Sequence, residues 1–128
     1  MNPRDLKYTK EHEWVRVDSE KAVIGLTDHA QHALGDVVFV ELPEIGNSLE
    51  SGKSFGVVES VKAVSDVYAP VSGTVTSVNE VLLDAPETLN EDAFGKGWMI
   101  EIQMDDPSQL GNLLDAAQYE AFLLEEDN

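Results

Sequence analysis

Glycine and proline residues interrupt this chain at short intervals, which limits it to short elements joined by tight turns. The segments between them are rich in valine, isoleucine and threonine, and several alternate apolar and polar residues as a half-buried strand does. The pattern therefore predicts a mainly β protein. We predict strands near Trp14–Val17, Lys21–Leu26, Val37–Glu41, Ser54–Glu59, Asp66–Ala69, Gly73–Val78 and Trp98–Gln103.

Two segments have the spacing of helices instead. A short helix is predicted over residues 28–34, with Asp28 as its N-cap, Gln31 three residues later and Gly35 as its left-handed stop. A second helix is predicted over residues 115–124, with Asp115 as its cap and one apolar face that packs on the sheet. Residues 125–128 are all polar, so we expect them to form a frayed acidic tail.

The acidity of the chain limits its partners. The length of the chain suits a single domain over residues 1–128. Its 25 acidic and 8 basic residues give it a formal charge of −17. Such a surface repels nucleic acid and anionic membranes, and no apolar run approaches the roughly 18 residues that span a bilayer. We therefore expect no nucleic-acid or membrane partner. Proteins with basic surfaces should be the favoured binding partners.

The first residues and the absence of cysteine bear on location. The amino-terminal segment has no apolar core and carries an early acidic residue, so neither a signal peptide nor a transit peptide is predicted. We expect a cytoplasmic protein, or a mitochondrial matrix protein if a transit peptide has been removed. Without cysteine, disulfides, zinc–thiolate sites and cysteine nucleophiles are excluded.

One lysine stands out by its position. Lys62 lies midway between two strand-like runs in a predicted hairpin at about residues 55–70, where a turn should project its amine into water. An exposed amine at a fixed point can be modified by another enzyme, although most turn lysines serve only as solubilising charges.

Other candidate chemistry is weaker. His29 and His32 are three residues apart on the predicted short helix, but two imidazoles with no third ligand nearby rarely hold a metal, so no metal site is predicted. Among 25 acidic residues no pair is singled out as acid and base, and no glycine-rich phosphate loop is present. The sequence predicts no catalytic residue.

Eight segments spread along nearly the whole chain carry a resemblance to a known family. They are Lys7-Tyr8, Glu11-His12-Glu13-Trp14-Val15, Gly25-Leu26-Thr27-Asp28-His29-Ala30-Gln31, Leu34-Gly35-Asp36-Val37-Val38-Phe39-Val40-Glu41-Leu42-Pro43, Glu59-Ser60-Val61-Lys62-Ala63, Ser65-Asp66, Ala69-Pro70-Val71-Ser72-Gly73 and Gly97-Trp98-Met99. With these segments the chain resembles the H-protein family of the glycine cleavage system. No single segment is decisive, but their joint order and spacing are highly specific.

This resemblance implies a fold, a cofactor and a role. The fold is a mainly β barrel-sandwich hybrid with the two helices predicted above. The cofactor is lipoate, in amide linkage to Lys62 within a motif formed by Glu59, Ser60, Val61, Ala63 and Asp66. The role is that of a carrier, not an enzyme.

The resemblance also implies partners. A pyridoxal-phosphate glycine decarboxylase loads an aminomethyl group on the lipoyl arm, an aminomethyltransferase passes its carbon to tetrahydrofolate, and dihydrolipoamide dehydrogenase reoxidises the arm with NAD. Lipoyl-attaching enzymes modify the lysine. In the family the loaded arm folds into a cleft, for which the candidates here are Glu13 and Asp66, with Ala30 and Leu34 as apolar wall.

Two related kinds of carrier match these residues less well. Lipoyl domains of 2-oxo acid dehydrogenase acyltransferases are shorter and usually carry Asp-Lys-Ala, whereas Val61 precedes Lys62 here. Biotin carriers typically place methionine on both sides of the lysine. An H-like lipoyl donor for other proteins, or an unmodified acidic adaptor, would keep the same fold, so the sequence leaves both open.

Overall fold

The computed structural model of the chain describes residues 2–127, which form nine strands and four α-helices. The strands are β1 (Lys7–Tyr8), β2 (Glu13–Asp18), β3 (Lys21–Leu26), β4 (Val37–Glu41), β5 (Ser48–Leu49), β6 (Ser54–Ser60), β7 (Val64–Tyr68), β8 (Gly73–Val78) and β9 (Ile100–Met104). The helices are α1 (Asp28–Leu34), α2 (Val81–Asp84), α3 (Thr88–Glu91) and α4 (Ala116–Asp127), with a 3₁₀ helix over Pro107–Asn112.

The strands form two antiparallel sheets. The larger sheet has the order β1-β2-β3-β9-β8-β5, and the smaller has the order β4-β6-β7. Neither sheet closes into a barrel among the described residues, which is consistent with the predicted barrel-sandwich hybrid. The seven predicted strands are all present, three of them with the predicted bounds: β3, β4 and β8.

The main core draws side chains from both sheets. Val15 and Ile102 from the larger sheet and Val58 and Val67 from the smaller one are buried in it. A second cluster, built on Tyr8, Trp14 and Tyr119 with Leu6 and Ala116, holds α4 against the amino-terminal strands. The rings of Tyr8 and Tyr119 stack with centroids 4.7 Å apart, so the predicted packing of the carboxy-terminal helix on the sheet is confirmed.

The ends of the helices differ in part from prediction. Helix α1 spans 28–34 as predicted and ends at Gly35 (φ 82°), but its N-cap is Thr27 and the prediction of Asp28 was wrong. Thr27 has extended backbone angles and its hydroxyl accepts a hydrogen bond from the Ala30 amide (3.2 Å), so the helix begins one residue later, at Asp28.

Helix α4 is longer than predicted. Asp115 caps it as expected, since its carboxylate accepts from the Gln118 amide (2.8 Å) while Gln118 Oε1 accepts from the Asp115 amide (2.9 Å). The helix continues through Asp127, and therefore includes most of the segment predicted to be a frayed tail; Asn128 lies outside the described residues. No helix formed by residues 2–127 is long and apolar enough to cross a membrane.

Candidate functional site

Lys62 occupies the turn between β6 and β7, as the sequence predicted. Ser60 fixes this turn: its amide donates to the Ala63 carbonyl (2.8 Å), and its hydroxyl oxygen accepts from the amides of Ala63 (3.0 Å) and Lys62 (3.3 Å). A serine hydroxyl that bonds to the backbone within its own turn stabilises that turn locally. The lysine is therefore exposed on a turn of defined shape.

The turn is also attached to the loop between α1 and β4. The Val61 amide donates to the Asp36 carbonyl (3.1 Å), and the stem of Lys62 lies over Gly35. A Cβ added at Gly35 would lie 3.4 Å from Lys62 Cε and 4.0 Å from Nζ. The absence of a side chain at Gly35 leaves room for the lysine stem as well as permitting the positive φ angle.

Exposed apolar side chains surround this end of the smaller sheet. Val38 and Phe39 from β4 and Val61 and Val64 from the hairpin are between 49% and 72% exposed. Phe39 pairs in register with Glu59, which in turn pairs with Val64, so these positions lie side by side across three strands. Clustered exposed apolar residues mark a surface that a binding partner can cover.

A cleft of about 180 Å³ lies between α1 and the hairpin. Its wall is mainly aliphatic, and its polar groups come from the loop before β2 and from the start of β7. The lining residues are Glu11, His12, Leu26, Ala30, Ala33, Leu34, Ser65 and Asp66. The cleft can accept an aliphatic chain, and the Asp66 carboxylate on its wall can attract a cation.

Glu13, a predicted cleft residue, lies elsewhere. It is buried, and it is not among the residues that line the cleft. Its carboxylate accepts from the Thr9 hydroxyl (2.6 Å) and from the Tyr68 amide (3.3 Å), so it connects the loop before β2 to the end of β7. Burial raises the pKa of Glu13 to about 7, although these two hydrogen bonds oppose the shift.

A chain of polar side chains continues from the cleft to α4. The Tyr119 hydroxyl lies 2.8 Å from both Thr27 Oγ1 and His12 Nδ1, and His12 Nε2 lies 3.1 Å from Glu126. Burial raises the pKa of Tyr119 to about 12 and lowers that of His12, so the phenol keeps its proton and the imidazole is neutral near pH 7. Contacts at both ring nitrogens therefore fix the orientation of the His12 imidazole.

The structure brings together part of the predicted set. Ala30, Leu34 and Asp66 line one cleft beside the hairpin that carries Lys62, whereas Glu13 does not. Four further lining residues, Glu11, His12, Leu26 and Ser65, were not predicted, because α1, the loop before β2 and strand β7 meet only when elements of the two sheets pack together. Ala33 carried a signal, since it is three residues after Ala30 on the same helix face.

The fold and the hairpin define a class of protein. Two sheets that present an exposed lysine on the turn of a hairpin are the architecture of carrier domains that bear a prosthetic arm. The profile of the family described as "Glycine cleavage H-protein" matches residues 6–126, so the chain belongs to this family.

Individual relatives agree. The glycine cleavage system H protein of Carboxydothermus hydrogenoformans is 54% identical over 124 residues, covering 97% of this chain and 95% of the relative. The H protein of Geobacillus kaustophilus is 57% identical over 123 residues, covering 96% and 97%. The crystal structure of a glycine cleavage system H protein from Mycobacterium marinum superposes with a TM-score of 0.88 at 40% identity, covering 94% of this chain and 97% of that one.

These matches confirm the resemblance, the fold and the class of function inferred from the sequence. The H-protein is a lipoyl carrier that shuttles between the enzymes of the glycine cleavage system, and it is not a catalyst in its own right.

Proposed function

We propose that Lys62 is the lipoyl attachment site of this chain. On this arm the chain would carry the aminomethyl group from a glycine decarboxylase to an aminomethyltransferase, after which dihydrolipoamide dehydrogenase would reoxidise the arm. The observation that carries the proposal is the exposed Lys62 on the Ser60-fixed turn, beside an aliphatic cleft. In amide linkage, lipoate would supply a dithiolane that opens to accept the one-carbon group and closes again on oxidation.

The residues around the lysine fit an amide-linked aliphatic arm. The lysine stem already lies across Gly35, next to Leu34 at the end of α1, so an arm that continues the stem has a short route to the cleft. Ala30, Ala33 and Leu34 would shield it from water, and Asp66 would hold an ammonium group by charge. We propose that Glu13 positions strand β7, because its carboxylate accepts a hydrogen bond from the Tyr68 amide at the end of the strand that carries Asp66.

The partner enzymes need access to Lys62, and the surface around it suits them. Val38, Phe39, Val61 and Val64 offer apolar contact, while the net charge of −17 favours basic rims around the partner active sites. We propose the cytoplasm as its compartment; the relatives described above are bacterial, so they give no support to a mitochondrial one.

Mass spectrometry tests the attachment site. The chain is expressed with lipoate and a lipoate ligase, and its intact mass and peptides are measured. We expect one lipoyl group on the peptide that contains Lys62, absent from Lys62→Arg and retained in Lys53→Arg, a matched control at an exposed lysine ahead of the same hairpin. An unmodified Lys62 in folded protein, beside an H protein that is modified under the same conditions, would refute the proposal.

A second experiment separates glycine cleavage from the donor and adaptor roles. The lipoylated chain is mixed with glycine decarboxylase, aminomethyltransferase and tetrahydrofolate, and carbon transfer from glycine is measured. Transfer that depends on Lys62 supports the shuttle. A lipoylated chain that supports no transfer, with a control H protein active in the same assay, would refute the shuttle and leave the role of lipoyl donor.

The role of Asp66 is tested in the same system. Because Asp66 also belongs to the lipoylation motif, lipoylation of Asp66→Asn is first verified by intact mass, and we expect the lipoylated variant to lose its one-carbon cargo to water faster than wild type. Asp84→Asn, an exposed aspartate on α2, should match wild type. Equal rates of cargo loss in all three proteins would refute the proposal that Asp66 protects the loaded arm.

A further inference from the structure

Three potential metal ligands that are distant in sequence meet where the loop before β2, α1 and α4 come together. One ligand atom from each of His12, His29 and Glu126 lies within 4.8 Å of the other two. Within this cluster, His12 Nε2 and Glu126 Oε2 are 3.1 Å apart. Two ligands of a tetrahedral zinc ion are about 3.3 Å apart, so this pair already has the required separation.

The two imidazoles are also suitably placed. The ring centroids of His12 and His29 are 4.6 Å apart with planes inclined at 32°. Two imidazoles bound to one zinc ion have centroids about 5 Å apart, so both rings can reach a common ion with a small adjustment. His12 and His29 are half-buried and Glu126 is exposed, which leaves the ion an entry path from solvent.

His12 is held in this position by its surroundings. Its backbone has a positive φ of 70°, a conformation that non-glycine residues adopt rarely and at some energetic cost. Its Nδ1 atom lies 2.8 Å from the Tyr119 hydroxyl, which leaves Nε2 facing Glu126. A metal-binding histidine is commonly oriented in this way, through a hydrogen bond on its other ring nitrogen.

The charge around the cluster favours a cation. Glu126 lies in the last turn of α4, where the carbonyl ends of the helix add partial negative charge, and Glu125 precedes it in the same turn. Two imidazoles and one carboxylate suit zinc better than magnesium or calcium, which prefer oxygen ligands throughout. Three protein ligands leave at least one coordination position for water.

We propose that His12, His29 and Glu126 form a binding site for one divalent transition-metal ion of the zinc type, which would join α4 to α1 at the edge of the cleft. His12 also lines the cleft, so the ion would lie beside the space assigned to the arm. The site does not depend on the proposed lipoyl chemistry, because all three ligands belong to the chain itself.

The test measures Zn²⁺ binding to the full chain, unlipoylated as verified by intact mass, so that no arm thiol contributes. We expect one tight Zn²⁺ per chain by calorimetry, surviving a large excess of Mg²⁺. His29→Ala and Glu126→Gln should each weaken binding about tenfold or more. His12→Asn should do the same, since asparagine tolerates the left-handed backbone.

His32→Ala is the matched control. His32 lies on the same helix beside a carboxylate, with 3.8 Å between its Nδ1 and Asp28 Oδ2, but outside the cluster, so the variant should bind Zn²⁺ as wild type does. Zn²⁺ should also raise the Tm of wild type and His32→Ala more than that of His29→Ala. Equal Zn²⁺ affinity of His29→Ala and wild type, or displacement of Zn²⁺ by Mg²⁺, would overturn the proposal and identify adventitious binding to the acidic surface.

Discussion

Glu13 is a carboxyl group that the fold keeps away from water. Its hydrogen bonds to Thr9 and Tyr68 favour the ionised form, but desolvation dominates and the pKa rises from 4.5 to about 7. Between these two values the folded chain retains a proton that the unfolded chain has lost. Stability therefore falls as the pH rises through this window.

Glu13→Gln should remove this pH dependence. The amide is uncharged, so the variant should gain stability relative to wild type between about pH 5 and about pH 8, even though it loses one of the two hydrogen bonds. Urea unfolding in metal-free buffer at both pH values measures the difference. Glu44→Gln, at an exposed position, should show no such trend. A Glu13→Gln difference that is constant with pH would contradict the argument.

Gly25 is required by the packing of a buried tryptophan. A Cβ at this position would lie 2.6 Å from Trp14 Cζ2, and the indole is held by a hydrogen bond from Nε1 to the Ala93 carbonyl (2.9 Å). The indole is fully buried, so it cannot move into solvent to make room. We expect Gly25→Ala to destabilise the chain by about 2 kcal/mol.

Gly111→Ala is the control for this substitution. No heavy atom lies within 4 Å of a Cβ built there, so its effect should be small. Chemical denaturation of both variants makes the comparison, and equal stabilities would show that Trp14 can relax after all.

At the scale of elements, the Asn90 side chain connects α3 to α1 and β4. This α3 side chain accepts from the Val37 amide at the start of β4 (2.8 Å) and donates to Gln31 Oε1 and the Gly35 carbonyl at the end of α1 (2.9 Å each). It thus fixes the loop on which the Lys62 stem lies.

We expect Asn90→Ala to cost about 2 kcal/mol, because it leaves part-buried donors and acceptors without partners. Amide hydrogen exchange should also become faster at Val37 and along α1. Asn112→Ala, at an exposed position in the 3₁₀ helix, should change neither quantity. An Asn90→Ala chain as stable as Asn112→Ala would show that water replaces the lost hydrogen bonds.

The sequence predicted elements whose signals are local. The strands β3, β4 and β8 and the bounds of α1 follow from alternation, β-branched residues and a terminal glycine. The strands β1 and β5 have two residues each, and α2 and α3 have four, so none has enough length for a periodic pattern. The Thr27 cap was missed because Asp28, next to it, is an equally good capping residue.

In the candidate site, too, local features were predictable from the sequence and long-range contacts were not. The Lys62 turn was predictable, since hairpin and motif are contiguous. The buried position of Glu13 depends on Tyr68, and the histidine cluster depends on Glu126, which is more than a hundred residues from His12 in sequence. The sequence suggested His29 with His32 as a pair, whereas folding places His29 beside His12. Contacts of this kind arise from strand order and helix docking.

At the scale of the whole molecule, the dominant property is the charge of −17. Association of the lipoylated chain with an aminomethyltransferase should slow as ionic strength rises, because salt screens the attraction to a basic surface. Stopped-flow measurements of the association rate across a salt series provide the test. Phe39→Ser should weaken binding without altering the salt slope. A rate independent of salt would rule out electrostatic steering.

The order of strands in the larger sheet has a consequence for biosynthesis. Strand β3 pairs on one side with β2 and on the other with β9, where Ile24 meets Ile100, and Tyr8 bridges to Leu114. On the ribosome, the amino-terminal hairpin therefore emerges well before its second neighbour has been translated. Until then it presents an open edge and an uncovered apolar face, both prone to aggregation. Nascent chains stalled before residue 100 should consequently recruit chaperones that the completed chain, once released from the ribosome, no longer binds, a difference that crosslinking can detect.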